Sequence, residues 1–328
     1  MKRVLFAIGN FTLEKSEIEK ILPKTDYELI YNPIGEDLNF ENEPELFQDI
    51  DYILAGLEPY SDDFFLKYPR VSCISRIGVG TDNINLDAAR ASATRVCITS
   101  DKPSVSVAEL CVGNMISMLR HTHQMSNQLK NNIWEQFQGR DLRNQRVGIV
   151  GLGSIGKEVV KRLQPFGCEI YSASRSWNDQ FAETYNVTRL TLDELFKTCT
   201  VISIHLPMEN STNKIINKDM IASMLEGSFI INTSRSGVID NDAVCDALKS
   251  NHLAGVAIDV FDEEPDAHPY TDAPNVILSP HIGSFTQQTR MAMETMSLET
   301  LVHLDRFNNT DDLDERVKIQ DYLTKVTV

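Results

Sequence analysis

Short apolar runs rich in β-branched residues recur along the chain, each followed by a longer stretch of helical periodicity. No other feature constrains the fold as tightly. In the first third the runs are RVLFAI (3–8), YELIY (27–31), DYILA (51–55), VSCIS (71–75) and RVCIT (95–99). A second set comprises RVGIV (146–150), CEIYSA (168–173), TVISIHL (200–206), SFIINTS (228–234), AGVAID (254–259) and VILS (276–279). Runs of this length, flanked by turn residues, read as buried parallel strands joined by crossover helices. The fold class is therefore α/β, with two doubly wound parallel sheets.

Two long helical patterns interrupt the rhythm. One begins at Ser104 or Ser106, with Glu109 three residues beyond Ser106, and runs through AELCVGNMISMLRHTHQMSNQL. The other follows Ser284 and carries Met291, Met293, Met296, Leu298, Leu301, Val302 and Leu304 towards Phe307. They bracket the second set of strands. The expected organisation is thus a dinucleotide-binding domain at 105–285 inserted into a substrate domain made of 1–104 and 286–328, and a length of 328 residues suits two domains. The tail NNTDDLDERVKIQDYLTKVTV is polar and shows no clear element.

Charge narrows the function classes. With 31 Lys and Arg against 47 Asp and Glu the formal net charge is −16, which disfavours nucleic acid and anionic membranes as partners. A locally positive pocket for a small anionic substrate stays compatible with it. The six cysteines are scattered without C-x-x-C spacing, as expected of reduced thiols in a cytoplasmic protein. The opening MKRVLFAIGN is too short an apolar run for a secretory signal, and no later run reaches membrane-span length. His121 and His123 are two residues apart and point to different helix faces, so no metal site is expected.

RVGIV leads directly into GLGSIG and then KEVVKRLQPFG, an amphipathic helix ended by Gly167. Strand, G-x-G-x-x-G and helix in that order form the context of a dinucleotide fingerprint. Gly151 makes the tight turn, Gly153 admits the pyrophosphate close to backbone, and Gly156 lets helix and strand pack closely. The N–H groups of Ser154 and Ile155 at the helix start are placed to receive phosphate. An NAD site puts Asp or Glu about 20 residues on, at the end of the next strand. Here that position reads Ser174, Arg175, Ser176, and hydroxyls with a guanidinium suit a 2′-phosphate. The expected cofactor is NADP(H), with NAD(H) remaining open.

Three ionisable residues stand at strand ends of the inserted domain: Arg235 after SFIINTS, Glu264 after AGVAIDVFDE, and His281 after VILSP. Carboxyl ends of strands converge on the ligand crevice of a doubly wound sheet. Taken in order, RIGVGTDNINLDAA, the AEL helix, GLGSIG, HLP, NTSRSGVID, AIDVFDEEP and PHIGSFT resemble the D-isomer-specific 2-hydroxyacid dehydrogenases, over residues from about 50 to 305. That is the family of phosphoglycerate dehydrogenase and of hydroxypyruvate and glyoxylate reductases.

The resemblance implies a Rossmann domain inserted into a flavodoxin-like domain, and a catalytic set of Arg235, Glu264 and His281. His281 would act as acid and base, Glu264 would favour and orient its charged form, and Arg235 would hold the substrate carboxylate. It further implies that Val79 and Gly80 offer backbone N–H groups to the substrate, that Asp259 bonds the nicotinamide carboxamide, and that Pro207, Thr212 and Thr233 line the cofactor. His205 in HLP reads as a cofactor-wall or structural residue rather than an acid–base group, and Arg76 stays open between a substrate phosphate contact and a structural role. The substrate implied is a small 2-hydroxy or 2-oxo acid, and the assembly a homodimer with its interface on the 106–140 helical arm. Ser236 departs from the family's usual glycine, as Ser174 and Arg175 depart from its usual acid. A formate-type oxidation is disfavoured by Glu264 beside His281; the rival from another class is a dinucleotide-sensing, corepressor-like binding protein on the same fold.

Overall fold

The computed structural model describes residues 1–35, 38–262, 266 and 268–328. The chain divides into two compact units, Met1–Pro103 with Thr286–Val328, and Ser104–Phe285.

The first unit opens with strands β1 (Lys2–Phe6), β2 (Tyr27–Tyr31), β3 (Tyr52–Ala55), β4 (Cys73–Arg76) and β5 (Arg95–Ile98), and helices α1 (Lys15–Ile21), α2 (Asp62–Lys67) and α3 (Leu86–Ala91). The strands pair in parallel in the order β2-β1-β3-β4-β5. This is the flavodoxin-like order, whose switch point lies between β1 and β3. Alternate residues feed opposite faces: Leu5 and Ile53 join one core, and Val4, Phe6, Tyr52 and Leu54 join the other. Burial on both faces is the physical reason these runs are predominantly apolar.

The second unit begins with α4 (Ser104–Leu119) and α5 (Thr122–Lys130). Then follow β6 (Arg146–Val150), α6 (Ser154–Leu163), β7 (Glu169–Ala173), α7 (Asp179–Thr184), β8 (Val187–Arg189), α8 (Leu192–Thr198) and β9 (Val201–Ile204). The unit closes with α9 (Lys218–Ser223), β10 (Ser228–Asn232), α10 (Asn241–Lys249), β11 (Leu253–Ile258) and β12 (Val276–Leu278). Among the described residues its sheet runs β12-β11-β10-β9-β6-β7-β8, all parallel. The order reverses at β6 and β9, so the segments after those two strands flank the crevice of a Rossmann fold. The chain returns to the first unit through α11 (Gln287–Asn309) and α12 (Leu313–Val326), whose Leu298, Leu301, Ile319, Leu323 and Val326 pack with Val4 and Phe6.

Three local expectations are revised. The helical pattern from Ser104 is two helices, because His121 adopts a left-handed φ of 52° between α4 and α5. Strand β8 escaped the pattern, having only Val187 buried among its three residues. The polar tail forms α12, with Asp312 capping the N–H groups of Asp314 and Glu315. Among the described residues all six cysteines are thiols, and no helix is long and apolar enough to cross a membrane.

Candidate active site

The turn after β6 is shaped by what its glycines lack. Gly151 has φ +94°, and a Cβ there would stand 2.6 Å from the carbonyl oxygen of His205. A Cβ on Gly156 would come within 2.1 Å of the Gly151 carbonyl, so only glycine lets α6 approach the turn this closely. Gly153 is the opposite case: nothing lies within 4 Å of where its Cβ would be. Ser154 and Ile155 open α6, and the first turn carries no acidic side chain. The positive end of the helix therefore faces outward uncompensated by its own residues.

A cavity of about 850 Å³ extends from this turn, lined among others by Gly151, Gly153, Ser174, Arg175, His205 and Pro207. Thr212 also lines it; its hydroxyl donates to the Pro207 carbonyl at 2.6 Å and accepts from the Glu209 N–H at 2.9 Å, closing the turn after β9. Ser203 pairs with Nε2 of His205 at 2.9 Å, while the buried Nδ1 finds no hydrogen-bond partner among the described residues. Burial pushes the His205 imidazole down to about 3, so it stays neutral and is no acid–base group at ordinary pH. At the β7 end, Ser174 donates to the Ser176 carbonyl at 3.1 Å. Arg175 donates to Glu209 at 3.1 Å and to Ser211 at 3.5 Å. Arg189, at the end of β8, lines the same cavity with its guanidinium 5.1 Å from the Trp177 ring centre. Open space at Gly153, a helix N-terminus with no acidic side chain in its first turn and an orphaned ring nitrogen fit a dinucleotide whose phosphates and ribose would use them.

Past β10 and β11 the polar groups are engaged with the protein itself. Asp259 is 1% exposed, and its Oδ1 accepts from the Ser279 hydroxyl at 2.6 Å and the Ile282 N–H at 2.9 Å. Its Oδ2 accepts from the Gly283 N–H at 2.8 Å. Burial pushes this carboxyl up, and those donors pull it part of the way back. The loop so held carries His281, itself in a left-handed conformation with φ 51°. Arg235 follows β10, its guanidinium donating to the Ser234 carbonyl at 2.7 Å and its own carbonyl accepting from Asn232 at 3.0 Å. Thr233 is buried, with its hydroxyl 3.0 Å from the Cys111 thiol. Thr233 and Asp259 lie outside the lining of the cavity. Glu264 lies outside the described residues.

In the first unit Val79 and Gly80 follow β4, with Val79 exposed. Arg76 is 6% exposed and turns back beneath them, donating to the Ile77 carbonyl at 2.6 Å and the Gly80 carbonyl at 3.1 Å. Gly78, at φ +150°, must be glycine: a Cβ would meet the Arg76 guanidinium at 2.1 Å. The structural reading of Arg76 accounts for these contacts. The neighbouring loop 56–60 is held by buried Glu58, which accepts from the Gly56 N–H at 2.9 Å and the Tyr60 hydroxyl at 2.7 Å. Asn83 ties the two loops, donating to the Glu58 carbonyl at 2.7 Å. Glu58, Arg189 and Glu209 had no sequence signal as site residues: Glu58 closes its own loop onto Gly56 and Tyr60, Arg189 sits on a strand too short to recognise, and Glu209 meets Arg175 from 34 residues away.

The sequence profile described as "D-isomer specific 2-hydroxyacid dehydrogenase, NAD binding domain" matches residues 112–283. A D-3-phosphoglycerate dehydrogenase of Methanocaldococcus jannaschii is 35% identical over 243 residues, 73% of this chain and 46% of that protein. The chain therefore spans about half the length of such relatives. A hydroxypyruvate reductase of Thermotoga maritima is 31% identical over 86% of this chain and 92% of its own. Among solved structures, a glyoxylate reductase from Paecilomyes thermophila superposes with TM-score 0.82 at 26% identity, covering 92% of this chain and 94% of that one.

Proposed function

The chain belongs to the D-isomer specific 2-hydroxyacid dehydrogenase family, and we propose that it reduces a 2-oxo acid of the glyoxylate, hydroxypyruvate or phosphohydroxypyruvate type to the D-2-hydroxy acid, reversibly. The observation that carries this reading is the loop at 279–283. Hydrogen bonds from Ser279, Ile282 and Gly283 to buried Asp259 hold His281 at the carboxyl end of the sheet whose switch point forms the glycine cradle. The bound nicotinamide supplies the hydride. In the direction of reduction His281, protonated, gives its proton to the carbonyl oxygen, and in the reverse direction it takes the hydroxyl proton. Glu264 favours and orients the charged imidazole. Arg235 grips the substrate carboxylate with its planar fork and polarises the carbonyl, and Val79 and Gly80 add backbone N–H groups. Asp259 and Thr233 would hold the nicotinamide end of the cofactor, and Pro207 and Thr212 would line the remainder.

NADP(H) is the favoured cofactor, because Arg175 and Arg189 line the cavity and the residues following β7, Ser174 to Ser176, include no acid. The active species is a cytoplasmic homodimer: α5 and the segment after it expose Leu129, Ile133 and Trp134, the last 82% exposed. An apolar row of that kind suits a second copy. The test is a spectrophotometric panel of 2-oxo acids against NADH and NADPH. Turnover of one of them, faster with NADPH, is expected. Tight dinucleotide binding without turnover of any 2-oxo acid would overturn the enzyme reading in favour of a dinucleotide-sensing binding protein.

A further inference from the structure

We propose that Glu209 is a specificity-determining residue, a built-in rival of the cofactor's 2′-phosphate for the Arg175 guanidinium. The inference rests on the reading above in one respect, that Arg175 faces the 2′ position of the adenosine ribose. Glu209 Oε2 lies 3.1 Å from Arg175 Nη2 and 3.1 Å from the Ser211 hydroxyl. Arg175 itself stands 3.5 Å from the same hydroxyl. The two charges come from separate strands, Arg175 from the end of β7 and Glu209 from the turn after β9. That turn is fixed by buried Thr212, so the carboxylate does not simply swing away with its backbone. Arg175 and its hydroxyl partner both line the cavity.

A 2′-phosphate reaching Arg175 must share the guanidinium with a carboxylate, or displace it, and meets like charge at a few ångströms. A plain 2′-hydroxyl carries no charge and can donate to that same carboxylate. Glu209 therefore weakens discrimination in favour of the phosphorylated cofactor, a repulsive element acting on one ligand only. The Arg175 guanidinium beside it, and then the Ser211 hydroxyl, hold the Glu209 carboxyl below its usual range, so it is charged at neutral pH.

Calorimetric titration of the whole chain with adenosine 2′,5′-bisphosphate, using 5′-AMP as reference, separates the effects. Glu209→Gln should tighten the bisphosphate relative to AMP about 3- to 30-fold, and this gain should vanish when Arg175→Ala is also present. A relative affinity that is unchanged or falls, or a gain that survives Arg175→Ala, would overturn the proposal. If the unaltered chain binds AMP as tightly as the bisphosphate, the NADP(H) preference fails. Whether Glu209→Gln raises the ratio is read independently of that result.

Discussion

Beyond β4 the protein binds its own loop, whereas beyond β6 it leaves a turn for something else to bind. Arg76 donates to the carbonyls of Ile77 and Gly80, Thr99 receives the N–H of Gly78, and Glu58 gathers the loop alongside. Around the glycine turn, by contrast, Gly153 faces open space and His205 keeps a buried ring nitrogen without a partner among the described residues. If, as proposed, the N–H groups of this loop serve a small carboxylate, which offers few handles, they gain from being fixed in advance by the protein. A dinucleotide is long and multiply hydrogen-bonded, and it can complete the polar network itself. The third region, past β11 and β12, resembles the first: Asp259 fixes the His281 loop internally.

The sharpest break of this comparison removes the chemistry from one pinned loop and leaves the open cradle alone. His281→Ala should lower turnover about 10²- to 10⁴-fold. Dinucleotide affinity, measured by fluorescence titration, should stay within a few-fold, because the glycine turn and the β7 end that line the cavity are left intact. Near-full reductase activity in the variant would remove His281 from the acid role. Next in size is a change confined to the cradle. Replacing Ser174 with Asp and Arg175 with Ala should swing the NADPH to NADH ratio of kcat/KM by about ten- to a hundredfold towards NADH. A KM for the 2-oxo acid that moved equally would show that the two regions are not separate in the way proposed.

Smaller again is the loop after β4. Arg76→Met removes the donors that hold the Ile77 and Gly80 carbonyls, and should raise KM for the 2-oxo acid about tenfold while kcat changes less. A thermal melt run alongside distinguishes loop disorder from global unfolding. A variant with unaltered KM and a lowered Tm would make Arg76 a stability residue only.

The sheets were legible because their strands are buried on both faces, which writes β-branched runs straight into the sequence. Strand β8 was not, since a three-residue edge strand with one buried side chain leaves almost no pattern. Helix α12 left a signal that polarity hid: Ile319, Leu323 and Val326 repeat at four and three residues, and they are the buried face. The break at His121 carries no glycine or proline to announce it. In the site, Gly151 and Gly156 were readable because each is required by a local clash, and Gly153 because it leaves open space. The work of Arg76 and Asp259 depends on where a loop turns back, with Asp259 reaching 20 to 24 residues along the chain to its donors, and no short motif encodes that.

The finest distinction concerns two histidines, one in each unit. His205 beside the cradle is driven to about 3 by burial, and His303 on α11, its ring 4.4 Å from that of Tyr322, is also lowered, again chiefly by burial. Both lose protons on folding rather than gain them. The unfolded chain therefore binds more protons than the folded one between the folded and unfolded values, and stability contributed by the neutral rings is present above about pH 6.5 and falls as pH drops. For His205 the loss should set in below about pH 6.5 and deepen, on the order of 1 kcal/mol per pH unit, towards the folded value near 3. His205→Gln keeps a polar partner for Ser203 but cannot titrate, so urea unfolding at pH 7 and pH 5 should show a shallower acid dependence in the variant. His303→Gln should flatten it by less, as its shift is the smaller. Because bound dinucleotide would give the orphaned Nδ1 a partner, saturating cofactor should change the acid dependence of the unaltered chain and leave that of His205→Gln closer to its own unliganded profile. Identical pH slopes in the unaltered chain and His205→Gln would show that the ring beside the cradle is hydrated after all.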